Sequence, residues 1–264
     1  MAAGTHIEWT EATWNPVTGC TRVSEGCDNC YAVAMTRRLG AMGIDKYDGL
    51  VNRGKSHFNG HVKLHLDALE IPQRRSAPTL YFVNSMSDLF HDGIPDDFIA
   101  DVFEVMAATP RHTYQILTKR PERMASFASN LRFGDGRSFA DAPLPNVWLG
   151  TSVENQQRAT ERIPVLASCP AAVRFLSCEP LLSQIDIGTF LKSRDIHWVI
   201  VGGESGPRSR PLDPDWVRII QSDCASAGVA FFFKQWGGRN KRLAGRLLDG
   251  ETYNEMPAEI ATPN

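Results

Sequence analysis

Three cysteines stand within eleven positions: Cys20, six residues, Cys27, two residues, Cys30. Thiolates at that density hold a metal ion or an iron–sulfur cluster. Three also make an incomplete set. A cubane held by three cysteines keeps one iron open to a ligand that is not protein. Two other chemistries use the same residues. Cys27-Asp28-Asn29-Cys30 is half of a zinc knuckle, with Cys20 as third ligand and His6, His57 or His61 as a distant fourth. The CxxC pair is also a redox dithiol, a use that needs no Cys20. Cys169, Cys178 and Cys224 suit core positions, where a thiol packs as a small hydrophobe. Cys178 directly precedes Glu179, and as a fourth ligand it would close the site. His57, His61 and His65 have the spacing of one helix face, but Phe58-Asn59-Gly60 breaks that helix.

The elements that must hold these groups follow a regular pattern. A short strand near Trp14 to Thr18 leads into the cysteine loop, and Asp28 or Asn29 can cap a helix over 31–40. Residues 41–60 read as an irregular insertion. From residue 79, short apolar runs recur: Leu80-Tyr81-Phe82-Val83, Tyr114-Gln115-Ile116-Leu117, Val147-Trp148-Leu149, Val173-Arg174-Phe175-Leu176, Trp198-Val199-Ile200-Val201 and Val229-Ala230-Phe231-Phe232-Phe233. Each suits a strand buried on both faces. Helical patterns lie between them, opened by Pro95, Pro121 and Asp213-Pro214, the last ended by Gly228; the one after Asn155 is expected to break at Pro164. The alternation predicts a TIM-like βα barrel, full or partial, of about six to seven parallel strands. Just past the runs come Ser85 and Asp88, Lys119 and Arg120, Ser152 and Glu154, Glu179, Glu204 and Ser205, and Lys234 and Gln235. In such a barrel these positions converge on one mouth, beside the cysteine loop. Lys119, Glu154 and Lys234 are the candidate catalytic groups.

Composition bounds the partners. With 264 residues and 42% hydrophobic content, a large core is available. The expected division is a barrel over 1–238 and an appendage over 239–264, which carries Arg239, Lys241, Arg242 and Arg246. A net charge of −2 gives no global basic field for nucleic acid. Local patches remain at Arg37-Arg38, Arg74-Arg75 and Lys119-Arg120. Met1 to Trp9 does not read as a signal peptide, and no stretch approaches a membrane span. The expectation is a cytoplasmic protein, where clustered thiols stay reduced and favour metal over disulfide.

The chain resembles the phage-associated three-cysteine-motif proteins, a domain of unknown function related to radical S-adenosylmethionine (radical SAM) enzymes. The motifs run in order over about 7–238: Trp14-Asn15-Pro16-Val17-Thr18-Gly19-Cys20, Cys27-Asp28-Asn29-Cys30-Tyr31-Ala32, Asn84-Ser85-Met86-Ser87-Asp88-Leu89-Phe90-His91, Leu117-Thr118-Lys119-Arg120-Pro121, Glu179-Pro180-Leu181-Leu182, Gly202-Gly203-Glu204-Ser205-Gly206 and Phe232-Phe233-Lys234-Gln235-Trp236-Gly237. The resemblance implies a [4Fe–4S] cluster on Cys20, Cys27 and Cys30, with SAM on the fourth iron. It implies one-electron cleavage of SAM to a 5′-deoxyadenosyl radical that takes hydrogen from a substrate. It places the SAM amine at Gly202-Gly203-Glu204, extended by Glu179, or alternatively at Ser85 and Asp88. The implied partners are a three-cysteine-motif partner protein and an electron donor of flavodoxin or ferredoxin type. Nucleic acid or a nucleotide is the attractive substrate, with Lys119, Arg120 and Lys234 placed to meet phosphate. A SAM-free iron–sulfur redox or sensor protein and a zinc-stabilised binding protein are the alternatives.

Overall fold

The structure is a computed structural model that describes residues 3–5 and 7–257. Its strands are β1 (Ala3–Gly4), β2 (Ala12–Trp14), β3 (Val17–Thr18), β4 (Lys63–Leu64), β5 (Leu80–Val83), β6 (Thr113–Thr118), β7 (Val147–Ser152), β8 (Val173–Cys178), β9 (Trp198–Gly202) and β10 (Ala230–Gln235). Its α-helices are α1 (Tyr31–Ala41), α2 (Ile71–Arg74), α3 (Asp96–Ala108), α4 (Pro121–Asn130), α5 (Gln156–Ser168), α6 (Gly188–Leu191), α7 (Pro214–Ala227) and α8 (Lys241–Ala244).

Seven strands, β2 and β5 to β10, pair parallel in the order of the chain, and β1 adds antiparallel to β2. β10 pairs with β9 and not with β2, so the sheet is a partial barrel. Sequential order means every crossover advances in one direction, as a barrel requires. The helices explain the outer face. Side chains alternate along each strand, and Tyr81, Val83, Ile116, Leu149, Val199 and Phe233 pack outward against α3, α4, α5 and α7. The inner face carries an aromatic plug of Trp9, Phe82, Trp148, Phe175, Trp198 and Phe232. Trp9, just before β2, lies with its ring 6.1 Å from that of Trp198 on β9. On a flat sheet β2 and β9, five spacings apart, would be separated by roughly 24 Å. The sheet is therefore curled.

Several local signals hold. Asp213 Oδ1 accepts from Asp215 N–H, and Gly228 ends α7 at φ +68°. Others do not. The expected strand near Trp14 splits into β2 and the separate β3, which pairs with β4 just past the insertion. α5 runs straight through Pro164. A mid-helix proline costs about 3 kcal/mol. Ala159, Ile163 and Leu166, each at most 1% exposed, offset it by packing on the sheet.

Beyond β10 the chain doubles back. Phe233 N–H donates to Tyr253 O at 3.0 Å, and Glu255 N–H to Phe231 O at 3.2 Å, so this segment covers the open edge of β10.

Candidate functional site

One cavity of about 870 Å³ opens at the carboxyl ends of the strands. Residues at or just past all seven parallel strands line it, from Asn15 after β2 to Lys234 on β10. Cys20, Cys27 and Cys30 line the same cavity, and none is in a disulfide.

The cysteine loop is held at several points. Gly19 and Ser87 form a parallel bridge, and Ser87 Oγ donates to Val17 O at 2.9 Å. Gly19 sits at φ +92°, where a Cβ would fall 2.1 Å from His61 O, so glycine is required there. A 3₁₀ turn over Glu25–Cys27 presents the second cysteine, and Cys30 is the N-cap residue of α1. Tyr31 anchors the helix start by donating from its hydroxyl to Ser85 O at 2.6 Å. Desolvation pushes the Cys20 thiol up to about 12, helped by the charge of Asp88. Desolvation also raises Cys30, while the N–H of Ala32 at the helix start acts the other way. A metal centre relieves this cost by taking the proton's place, because a coordinating thiol is deprotonated outright.

The strand-end candidates divide into two groups. Ser85, Asp88, Lys119, Glu179 and Lys234 line the cavity. Lys234 Nζ donates to Glu179 Oε2 at 2.6 Å and lies 5.7 Å from the Trp9 ring, whose Nε1 donates to Glu179 Oε1 at 3.2 Å. Asp88 is engaged on both oxygens, by Thr118 Oγ1 at 2.7 Å and by Arg120 Nη1 at 2.9 Å. Arg120 in turn donates to Thr21 Oγ1 beside Cys20. Lys119 Nζ donates to Ser152 Oγ at 3.1 Å and forms no ion pair among the described residues.

Gly202, Gly203, Glu204 and Glu154 do not line the cavity. Glu154 is fully buried and pairs with Arg162 Nη1 at 2.9 Å. Glu204 pairs with Arg210 Nη2 at 2.5 Å. A Cβ on Gly203 would fall 2.0 Å from Trp236 O, so this glycine admits the backbone after β10 rather than a ligand. Cys178 faces the outer core with Cys224 and is absent from the cavity wall, so it is no fourth ligand to the trio.

His57 lines the cavity, whereas His61 does not, and His6 lies outside the described residues. His65 Nε2 is taken up with Thr18 Oγ1 at 2.9 Å. Among the described residues, no three His, Cys, Asp or Glu side chains converge as ligands of one metal ion. Cys20, Cys27 and Cys30 nonetheless share one cavity wall, close enough that Cys27 and Cys30 each act electrostatically on Cys20.

Ser177 went unnoticed in the sequence. It is 1% exposed, it lines the cavity, and its Oγ has no hydrogen-bond partner among the described residues. Counting back by two from Glu179 reaches it.

A family model described as "Protein of unknown function (DUF5131)" matches residues 4–257. The chain belongs to this family. No curated protein matches it. Among solved structures, one titled spore photoproduct lyase complexed with dinucleoside spore photoproduct aligns at TM-score 0.46 and 11% identity. A double-substitution variant of that lyase, with bound AdoMet and dinucleoside spore photoproduct, aligns at TM-score 0.45 and 11% identity. Each alignment covers 84% of this chain and 63% of the lyase chain, so this member of the family spans less than two thirds of the lyase's length. No helix among the described residues is long and apolar enough to cross a membrane.

Proposed function

We propose that the protein is a radical SAM-type iron–sulfur enzyme, with a [4Fe–4S] cluster on Cys20, Cys27 and Cys30 and SAM in the adjoining cavity. The observation that supports this reading is the meeting of three free thiols with one large cavity at the mouth of a parallel partial barrel. The cavity volume lies within the range of small-molecule sites.

When bound, the pair supplies one-electron cleavage of SAM and a route to hydrogen-atom abstraction. The chain's own residues supply the rest. Lys119, a cation with no carboxylate partner among the described residues, suits an anionic group such as an amino-acid carboxylate. The unpartnered Ser177 hydroxyl suits a sugar hydroxyl or ring nitrogen. The aromatic plug closes the barrel below, and the insertion contributes Tyr47, His57 and Phe58 to the cavity wall. Both keep bulk water from the reacting atoms.

Anaerobic reconstitution tests the reading. The expected product is a brown protein with about four irons per chain. Cys20→Ala, Cys27→Ala and Cys30→Ala are each expected to lose it. Reduction in the presence of SAM is expected to yield 5′-deoxyadenosine. A single tightly held zinc, or iron retained in all three variants, would sink the assignment. A full cluster without SAM cleavage would leave the redox or sensor alternative standing instead.

A further inference from the structure

Both carboxylates that turn away from the cavity reach the cysteine loop. Glu154 Oε1 accepts from Ser24 Oγ, ahead of Cys27, while its other oxygen is held by Arg162 from α5. Glu204 Oε2 accepts from Asn29 Nδ2 at 2.9 Å, between Cys27 and Cys30. The same oxygen takes the Arg210 N–H at 2.9 Å and Nε at 3.0 Å, and Oε1 takes Arg210 Nη2 at 2.5 Å. Arg210 Nη2 also donates to Glu25 O at 2.9 Å, so acid and base both grip the loop. Asn29 Nδ2 makes a further bond to Arg208 O at 3.0 Å. Glu204 is 6% exposed. Desolvation alone would raise its pKa, but the Arg210 hydrogen bonds outweigh that and keep the carboxyl below its ordinary value.

We infer that Glu154 and Glu204 are two posts to which the cysteine loop is pinned, one on each side of Cys27. Gly202-Gly203-Glu204 then positions the ligand loop and does not meet the SAM amine. The geometry favours this over the motif's implied use. Four hydrogen bonds converge on the Glu204 carboxylate, and neither glycine of the pair borders the cavity. The inference leans on the proposed function only for what the loop carries. The pinning itself belongs to the bare chain.

The test compares Glu204→Ala with Asn29→Ala, which removes the same bond from the loop side, in the full-length protein. Without iron, hydrogen exchange of 24–31 and alkylation of Cys27 and Cys30 are expected to quicken by about tenfold in both variants, the factor that loss of a charge-assisted hydrogen bond gives a local opening. With iron, the half-life of the chromophore under a chelator is expected to shorten, while SAM affinity per remaining cluster stays within about twofold of wild type. Asn29→Asp sets two carboxylates against each other and is expected to loosen the loop further. Adding Glu204→Gln to it restores a donor facing an acceptor and is expected to recover slow exchange. Unchanged exchange in both alanine variants would overturn the inference. So would a stable cluster with lost SAM affinity in Glu204→Ala, which is the signature of an amine ligand. If no preparation binds iron, the proposed function fails while the exchange arm still decides the pinning.

Discussion

His112 illustrates how one buried side chain ties stability to pH. It is 1% exposed, and its Nε2 sits 2.9 Å from Pro72 O, which only the Nε2–H tautomer can satisfy. Nδ1 has no partner. A second proton would have to go there, at a buried position on an imidazole whose ring lies 5.2 Å from that of Tyr81. Desolvation accordingly holds the His112 pKa below its ordinary value. The native state then binds fewer protons than the unfolded chain once pH falls below the unfolded value of about 6.5. Stability from this residue is complete above that pH and is lost as pH drops toward the folded pKa. His65, His91 and His197 are shifted the same way, each mainly by desolvation. Denaturant melts at pH 7.5, 6.5 and 5.5 are expected to show falling stability, with a smaller fall in His112→Gln. An identical pH dependence in that variant would count against the assignment. At this scale the site was only partly legible. The thiols announced themselves by spacing, and Lys119, Glu179 and Lys234 by following apolar runs. A glutamate after a strand does not reveal whether an arginine elsewhere will claim it, as Arg162 claims Glu154 and Arg210 claims Glu204.

Among elements, β7 and β8 show how the inner face is filled. Gly150 points inward on β7, where a Cβ would fall 2.5 to 2.6 Å from three atoms of the Phe175 ring on β8. The missing side chain is the space the ring occupies. Gly150→Ala is therefore expected to destabilise by about 1–3 kcal/mol through overpacking. Gly150→Ala with Phe175→Leu is expected to recover part of that, since the smaller side chain vacates the site. Equal midpoints for wild type and the single variant in urea would refute this. The six apolar runs were legible as β5 to β10 because parallel strands, covered on both faces, need continuous apolar sequence. α5 was legible at its start, where Asn155 Oδ1 accepts from Arg158 N–H, but not through Pro164. Propensity is local, whereas the packing of Ile163 and Leu166 on the sheet is not. The curl was legible as a barrel, from polar groups recurring just past the apolar runs, but the contact of Trp9 with Trp198 on β9, which joins distant stretches of sequence, was not.

For the whole molecule, a partial barrel has two edges, and the chain covers both. β1 pairs antiparallel with β2 at one edge, and 253–255 runs antiparallel to β10 at the other. An open edge exposes unpaired N–H and C=O groups to any other strand. On β10 the hazard is larger, because Phe231, Phe232 and Phe233 are consecutive and at most 3% exposed. Beyond the two ladder bonds, Phe231 N–H donates to Glu255 Oε2 at 2.9 Å, and Trp198 Nε1 to Glu255 O at 2.8 Å. The Tyr253 ring packs 5.4 Å from that of Phe231. These four hydrogen bonds, at roughly 1 kcal/mol each, give about 4 kcal/mol before any lost apolar contact. A chain ending at Gly245 is expected to melt at lower temperature and to associate as its concentration rises, through pairing of the bared β10 edge. Light scattering across a concentration series and a thermal melt together read both effects. Replacing Phe232, which faces the barrel interior, is not expected to cure the association, because the sticky groups are backbone; a proline at Phe231, whose N–H is one of the bared donors, is expected to reduce it. A monodisperse truncated chain with the wild-type melting temperature would mean that the edge is guarded by something other than this segment.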